Sequence, residues 1–205
     1  MVLILSNTAG ARVQDDDLEL VHKVQKDDTA AFEMLVTKHQ KKMFNTAYRI
    51  TGCQEDAAEV VQDAFLAAYR AIKSFEGKSL FSTWLHAITL NTARNRLQQT
   101  QTRHGREPIS LDDPLPDCSN RVFEPRSPAP SALEQLSTKE LNMHIERCLS
   151  ALDTGFREVI VLRDIQGFSY DEIAGMLALA AGTVKSRIFR ARDAVRDCLR
   201  KAMGN

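Results

Sequence analysis

Several features are scarce in this chain, and each scarcity excludes something. The apolar run that opens it, "VLIL" at residues 2–5, is too short for a membrane span or a signal-peptide core. The first 14 residues are therefore expected to be a loose leader on a cytoplasmic protein. Cysteine occurs four times, at Cys53, Cys118, Cys148 and Cys198, with no CxxC pair. Reduced thiols are the expectation. His144 and Cys148 stand four apart, as a metal pair can, but no second pair accompanies them and a structural reading is favoured. Net charge is absent, with 27 Lys and Arg against 27 Asp and Glu, so the chain as a whole selects no partner by sign. No phosphate-binding glycine loop, HExxH or nucleophile–base arrangement can be argued from the residues. The chain is expected to have no catalytic residues, cofactor or metal of its own.

Strand-like alternation never persists, and the Asn-Gly turns of β-rich proteins are missing. What is present is helical periodicity, interrupted once. All six prolines fall between Pro108 and Pro130, in a stretch rich in Ser and Asp that reads as a linker. The expected fold is all-α, with two small helical domains over residues 15–103 and 132–205 and a flexible acidic linker over 104–131. Each domain is expected to enclose a modest core.

Charge is unevenly distributed. Asp15 to Asp63 is net −5, Trp84 to Arg106 net +4, Glu107 to Leu136 net −4 and Ala180 to Asn205 net +5. Two basic blocks separated by an acidic one point to two nucleic-acid contacts on one chain.

In the first domain, one helix ends near Asp27–Asp28 and a second closes at Gly52. Phe32, Leu35, Val36, His39, Met43 and Ala47 follow the three- and four-residue spacing of a buried stripe. A third helix puts Ala57, Val60, Val61, Ala64, Phe65, Ala68 and Ile72 on one face and Asp56, Glu59, Gln62, Asp63 and Arg70 on the other. A fourth begins near Ser82.

The second domain contains "GFSYDEIAGMLALAAGTVKSRIFRAR", Gly167 to Arg192. Ser169 and Glu172 have the spacing of a capping box, so a helix starts there. The chain turns at Leu179–Gly182 and a second helix continues to about Lys201. At 100° per residue, Val184, Ile188, Ala191 and Val195 share an inward face. Ser186, Phe189 and Arg190 lie opposite, flanked by Thr183, Lys185 and Arg187. Guanidinium, ammonium, hydroxyl and aromatic groups on one exposed helix are what major-groove reading needs. The pattern is a helix-turn-helix with its second helix inserted in the groove.

Taken together, "DDDLELVHKVQKDDTAAFEMLV", "EDAAEVVQDAFLAAYRAIKSFEG", "FSTWLHAITLNTARNRL", "FREVIVLRDIQGFSYDEIA" and "GTVKSRIFRAR" resemble the bacterial extracytoplasmic-function (ECF) sigma factors. These are promoter-specificity subunits of RNA polymerase. The resemblance implies a four-helix bundle like sigma region two, then a helix-turn-helix domain. Asp56, Glu59, Gln62, Asp63 and Leu66 would grip core RNA polymerase. Phe75, Lys78, Asn91, Arg94 and Asn95 would read and help melt the −10 promoter element, with Arg96 suited to phosphate and a base flipped into the "FEGKS" loop. Thr183, Lys185, Ser186, Arg187, Phe189 and Arg190 would read the −35 element. Promoter DNA, core polymerase and an anti-sigma factor are the implied partners. The acidic linker, through Asp112, Asp113 and Asp117, would mimic transcript charge in a polymerase channel.

The chain departs from the family at His86-Ala87-Ile88, where Tyr-Arg-Ile is common, and at Phe75-Glu76-Gly77, where Phe-Arg-Gly is. Both changes remove positive charge near the −10 DNA. Leu152-Asp153 replaces a usual Leu-Pro, and the turn "ALAAGTV" lacks a common proline. Two other readings remain at this point. A stand-alone helix-turn-helix regulator would need a sensory pocket in its first domain, and a nucleic-acid-processing enzyme would need a carboxylate cluster.

Overall fold

The computed structural model describes residues 16–106 and 132–203. The expected leader, most of the expected linker with Asp112, Asp113 and Asp117, and the last two residues lie outside the described residues. The described residues form helices throughout, without a strand. The first half holds α1 (Leu18–Gln25), α2 (Thr29–Thr51), α3 (Gln54–Ala71) and α4 (Phe81–Arg106), with a 3-10 turn at Ile72–Ser74. The second holds α5 (Ala132–Ser150), α6 (Thr154–Ile160), α7 (Tyr170–Leu177) and α8 (Ala181–Ala202). A wider π-type turn, Val161–Ile165, continues α6. No described helix is long and apolar enough to cross a membrane.

Local chemistry sets the helix ends. Asp28 Oδ1 accepts from the Ala31 amide at 3.1 Å, capping α2. Gly52, at φ +77°, closes it with its amide on Tyr48 O at 2.7 Å, a conformation that costs glycine little. Leu35, Met43 and Ala47 of α2, Ala57, Val60 and Ala64 of α3, and Phe81, Leu85 and Leu90 of α4 are buried. His39 belongs to the same buried stripe and is paired through one ring nitrogen, while its buried Nδ1 has no hydrogen-bond partner among the described residues. It hydrogen-bonds Asp17 Oδ2 through Nε2 at 2.7 Å, and Lys38 Nζ donates to Asp17 Oδ1 at 2.6 Å. This fastens the start of α1 to α2.

In the second half α8 lies against α5, α6 and α7. Cys148 of α5 and Cys198 of α8 form a disulfide. The expectation of reduced thiols is corrected for these two, while Cys53 is in no disulfide and Cys118 lies outside the described residues, and Cys148 is no metal partner for His144. A sequence separation of 50 carries no pairing signal; only the packing of α5 on α8 brings the two sulfurs together. Arg157 closes the end of α5 by donating to the carbonyls of Leu149, Ser150 and Leu152 at 2.9, 2.6 and 2.8 Å.

The two halves also touch. Arg157 Nη1 donates to Ile50 O at 2.6 Å. The buried set containing Ile50, Leu90 and Ala93 runs without a break into Val159, Leu162 and Ile173. The sequence reading expects two separately closed cores. The structure instead joins them, because α2 and α4 each keep an apolar flank that α5, α6 and α7 cover.

Candidate nucleic-acid and polymerase interfaces

The helix-turn-helix is fixed by side-chain chemistry at its start. The Ser169 amide donates to Glu172 Oε2 at 2.8 Å, and the Glu172 amide donates to Ser169 Oγ at 3.2 Å. This is the reciprocal cap expected from the spacing. Ile173, Met176 and Leu177 turn inward. Ala178, at φ 52°, ends α7 in the left-handed region, where glycine or asparagine is more usual.

On α8, Val184, Ile188 and Ala191 are buried, whereas Lys185, Ser186, Phe189 and Arg190 are exposed. Phe189 keeps 67% of its surface in solvent, which for a phenyl group marks a contact surface rather than core. Thr183 and Arg187 are half-buried at the edge. Arg187 lies over Gly155, where an added Cβ would stand 3.2 Å from Nη1. The basic residues of α8 fall into two sets. Arg192 pairs with Asp164 at 2.9 and 2.5 Å, and Arg196 pairs with Asp193 at 2.7 Å. Among the described residues no ion pair holds Lys185 or Arg190, so positive charge is left available at the N-terminal end of α8.

The second candidate surface begins at the loop after α3. Gln25 Nε2 donates to Ile72 O and Phe75 O at 3.0 and 2.9 Å, pinning the start of the loop. Gly77 takes φ +70°. Phe75 packs on Trp84 and Phe81 with ring centroids 5.1 and 6.1 Å apart, so these aromatics fill one another's space. Lys78 is exposed and paired with Glu76. Asn91 and Asn95 are exposed one turn apart on α4. At about 1.5 Å per residue, Asn91 lies roughly 15 Å along the helix from Phe81. The ten-residue offset means the loop and the two asparagines do not line a single pocket.

Arg94 sits between those asparagines on the same helix. Its Nε and Nη2 donate to Glu158 Oε1 and Oε2 at 2.5 and 2.6 Å, and Nη1 donates to Asn91 Oδ1 at 3.5 Å. The fork-on-carboxylate geometry raises its pKa above the ordinary arginine value. Arg96, read from sequence as a phosphate contact, is turned inward to α3. It donates to Asp56 Oδ1 at 2.6 Å and reaches Glu59 Oε2 at 2.5 Å.

That pairing divides the third surface. Asp56, expected on an open acidic face, is only 17% exposed in its side chain and serves to join α3 to α4. Gln62, Asp63 and Leu66 remain exposed. Beside Leu66, Phe32, Val36, Phe65 and Tyr69 line an apolar groove of about 520 Å³ between α2 and α3. Sequence reasoning assigned Phe32, Val36 and Phe65 to the core; Phe65 is buried there, whereas Phe32 and Val36 are half-buried at the groove. Only Tyr69, three residues from Leu66, signalled that the stripe spills onto the surface.

His86, one of the departures, is buried against Phe168 of the second half at 4.8 Å between ring centroids. Its Nδ1 donates to Ser82 O at 2.7 Å. Burial pushes its pKa down to about 4, so the ring is neutral at ordinary pH. The described residues contain no group of His, Cys, Asp and Glu arranged to hold a metal.

Comparison with known proteins shows the family to which the chain is similar. The Sigma-70 region 2 family matches residues 35–103, and the Sigma-70 region 4 family matches residues 143–195. The RNA polymerase sigma-H factor of Pseudomonas aeruginosa is 35% identical over 191 residues, covering 91% of this chain and 95% of the relative. The ECF RNA polymerase sigma-E factor of Escherichia coli is 40% identical over 186 residues, covering 87% and 92%. The solved complex of the sigma factor RpoE with the anti-sigma factor NepR from Bartonella quintana superposes on 82% of this chain and 96% of its own. Its TM-score is 0.60 at 25% identity.

Proposed function

The chain belongs to the ECF family of RNA polymerase sigma factors, and we propose that three of its surfaces divide that family's work. As a sigma factor it binds core RNA polymerase and directs initiation at promoters through their −35 and −10 elements. The exposed face of α8, with Lys185, Ser186, Phe189 and Arg190 at its centre and Thr183 and Arg187 at its edge, reads the −35 duplex. The observation carrying this is the exposed Phe189 on a capped helix-turn-helix, beside Lys185 and Arg190, which no ion pair holds among the described residues.

Asn91, Arg94 and Asn95 on α4, with Phe75 and Lys78 in the preceding loop, meet the −10 DNA. The amides suit base edges and the guanidinium suits phosphate. Gln62, Asp63 and Leu66 take the polymerase, with Glu59 at the rim and Asp56 acting through Arg96. The groove formed by Phe32, Val36, Phe65 and Tyr69 extends that surface toward an amphipathic basic helix. The chain has no catalysis of its own and works inside the cell on the polymerase. An anti-sigma factor, as in the Bartonella quintana complex, is the expected regulator.

The test is transcription in vitro from a promoter library with purified core polymerase. Discrete start sites that depend on added chain, and that Arg190→Ala removes while polymerase binding persists, support the assignment. Footprints on duplex DNA without polymerase would instead favour a stand-alone regulator.

A further inference from the structure

Helix α1 carries none of the residues assigned to DNA or to the polymerase, yet one of its side chains clamps the loop that follows α3. In that loop Glu76, Gly77, Lys78 and Ser79 are exposed, and among the described residues no backbone hydrogen bond holds any of the four. Lys78 pairs with Glu76, inside the loop. A segment with so few restraints of its own takes its shape from its ends. The far end is Phe81, which is fully buried and packs against Phe75 and Trp84.

The near end is closed by Gln25. The carbonyls of Ile72 and Phe75 stand where a helix stops and offers no further amides of its own. Gln25 Nε2 has two N–H groups and donates to both carbonyls, at 3.0 and 2.9 Å. Two acceptors on that side require the amide nitrogen there. The amide oxygen then faces His22, with Oε1 3.3 Å from Nδ1. Around the clamp, Lys73 Nζ meets Asp27 Oδ1 at 2.6 Å. Leu18 lies beside Gly77, where an added Cβ would stand 3.9 Å from its Cδ2. The ion pair is exposed and contributes little, so the half-buried amide is the main restraint.

We propose that Gln25 is a positioning residue for reading the −10 element: from α1 it holds the loop at residues 75–79 in the shape that accepts a −10 base. This role rests on the assignment of Phe75 and Lys78 to the −10 DNA. A loop already in its binding shape loses less conformational freedom when the base arrives. Discrimination suffers first when the shape is lost, because a pocket about 1 Å too loose gives up the contacts that tell one base from another.

The experiment is transcription in vitro by the full chain with core polymerase on two promoter sets, one varied in the −10 element and one in the −35 element. Gln25→Glu keeps the size of the side chain and turns its donors into acceptors. Gln25→Leu removes them altogether, and thermal unfolding checks the fold of each. Either folded variant should lose roughly 5- to 100-fold of the preference among −10 sequences, the equivalent of two hydrogen bonds. Preference among −35 sequences and polymerase affinity should stay as in the natural chain. Trp84 is the single tryptophan, and its ring centroid lies 5.1 Å from that of Phe75. Its fluorescence in the free chain should therefore shift when the clamp is lost. A uniform fall on every promoter would reduce Gln25 to a structural support and overturn the proposal. Unchanged −10 preference, or unshifted Trp84 emission, in the folded variants would also overturn it. A third variant, combining Glu76→Gly, Lys78→Gly and Ser79→Gly, tests the loop itself. If it loses −10 preference while the Gln25 variants keep theirs, the loop reads DNA without the clamp. If it too keeps the natural preference, the assignment of the loop to the −10 DNA fails.

Discussion

Arg96 Nε donates to Asp56 Oδ1 at 2.6 Å, and that bond separates two kinds of acidic residue on α3. Asp56 is used up in joining α3 to α4, whereas Asp63 faces solvent beside Leu66. Asp56→Ala should therefore lower stability by about 1–3 kcal/mol, read by urea denaturation, and weaken polymerase binding only through the fold. Leu66→Asp should leave stability within about 0.5 kcal/mol. It should also cut core-polymerase affinity at least about tenfold. The reverse pattern would show that the binding face has been misplaced on α3.

The recognition face separates readers from positioners. Arg190→Ala should lose about 1–3 kcal/mol of −35 discrimination, measured as relaxed base preference in the promoter library. Lys185→Ala should weaken complexes on all promoters alike and reduce the salt slope of binding by about one. Equal loss of base preference in both variants would mean that Lys185 reads bases too.

Much of this was legible because helices announce themselves. Ser169 and Glu172 fixed the start of α7 by spacing alone. The 100° periodicity put Val184, Ile188 and Ala191 inside and Phe189 and Arg190 outside. The illegible part involves partners far apart in the chain. Arg94 and Glu158 are 64 residues apart and Arg49 and Glu146 are 97 apart. No local pattern says that a cation on one helix will find an anion in the other half. The groove at Phe32 and Tyr69 was hidden for another reason: a wide apolar stripe looks the same whether covered or open.

His86 supplies a pH test. Its pKa is lowered from 6.5 to about 4 in the fold, so the unfolded chain binds the extra proton between those values. Stability must then fall as pH drops through that window and is unaffected by this group above it. The shift corresponds to about 3 kcal/mol. His86→Leu should shrink the loss of stability between pH 6.5 and pH 4 by about that amount, measured by denaturation at both pH values against the natural chain. An unaltered acid limb in the variant would show that the imidazole is not held neutral.

The second half has two local supports that can be removed one at a time. Ser169→Ala deletes the cap of α7 and should cost about 1 kcal/mol. Cys198→Ser opens the bridge to Cys148 and should cost about 2–4 kcal/mol under oxidising conditions. With a reductant present, the natural chain and Cys198→Ser should unfold at nearly the same temperature. A persistent gap would mean that the serine harms packing and that the bridge contributes little.

The most direct measurement places photo-crosslinking amino acids at positions 189 and 91 and irradiates the polymerase–promoter complex. Position 189 should label duplex near −35 and position 91 the non-template strand near −10, with the two sets about 25 base pairs apart. Labels from both positions on one segment, or the two segments exchanged, would contradict the assignment of α8 and α4 to their DNA.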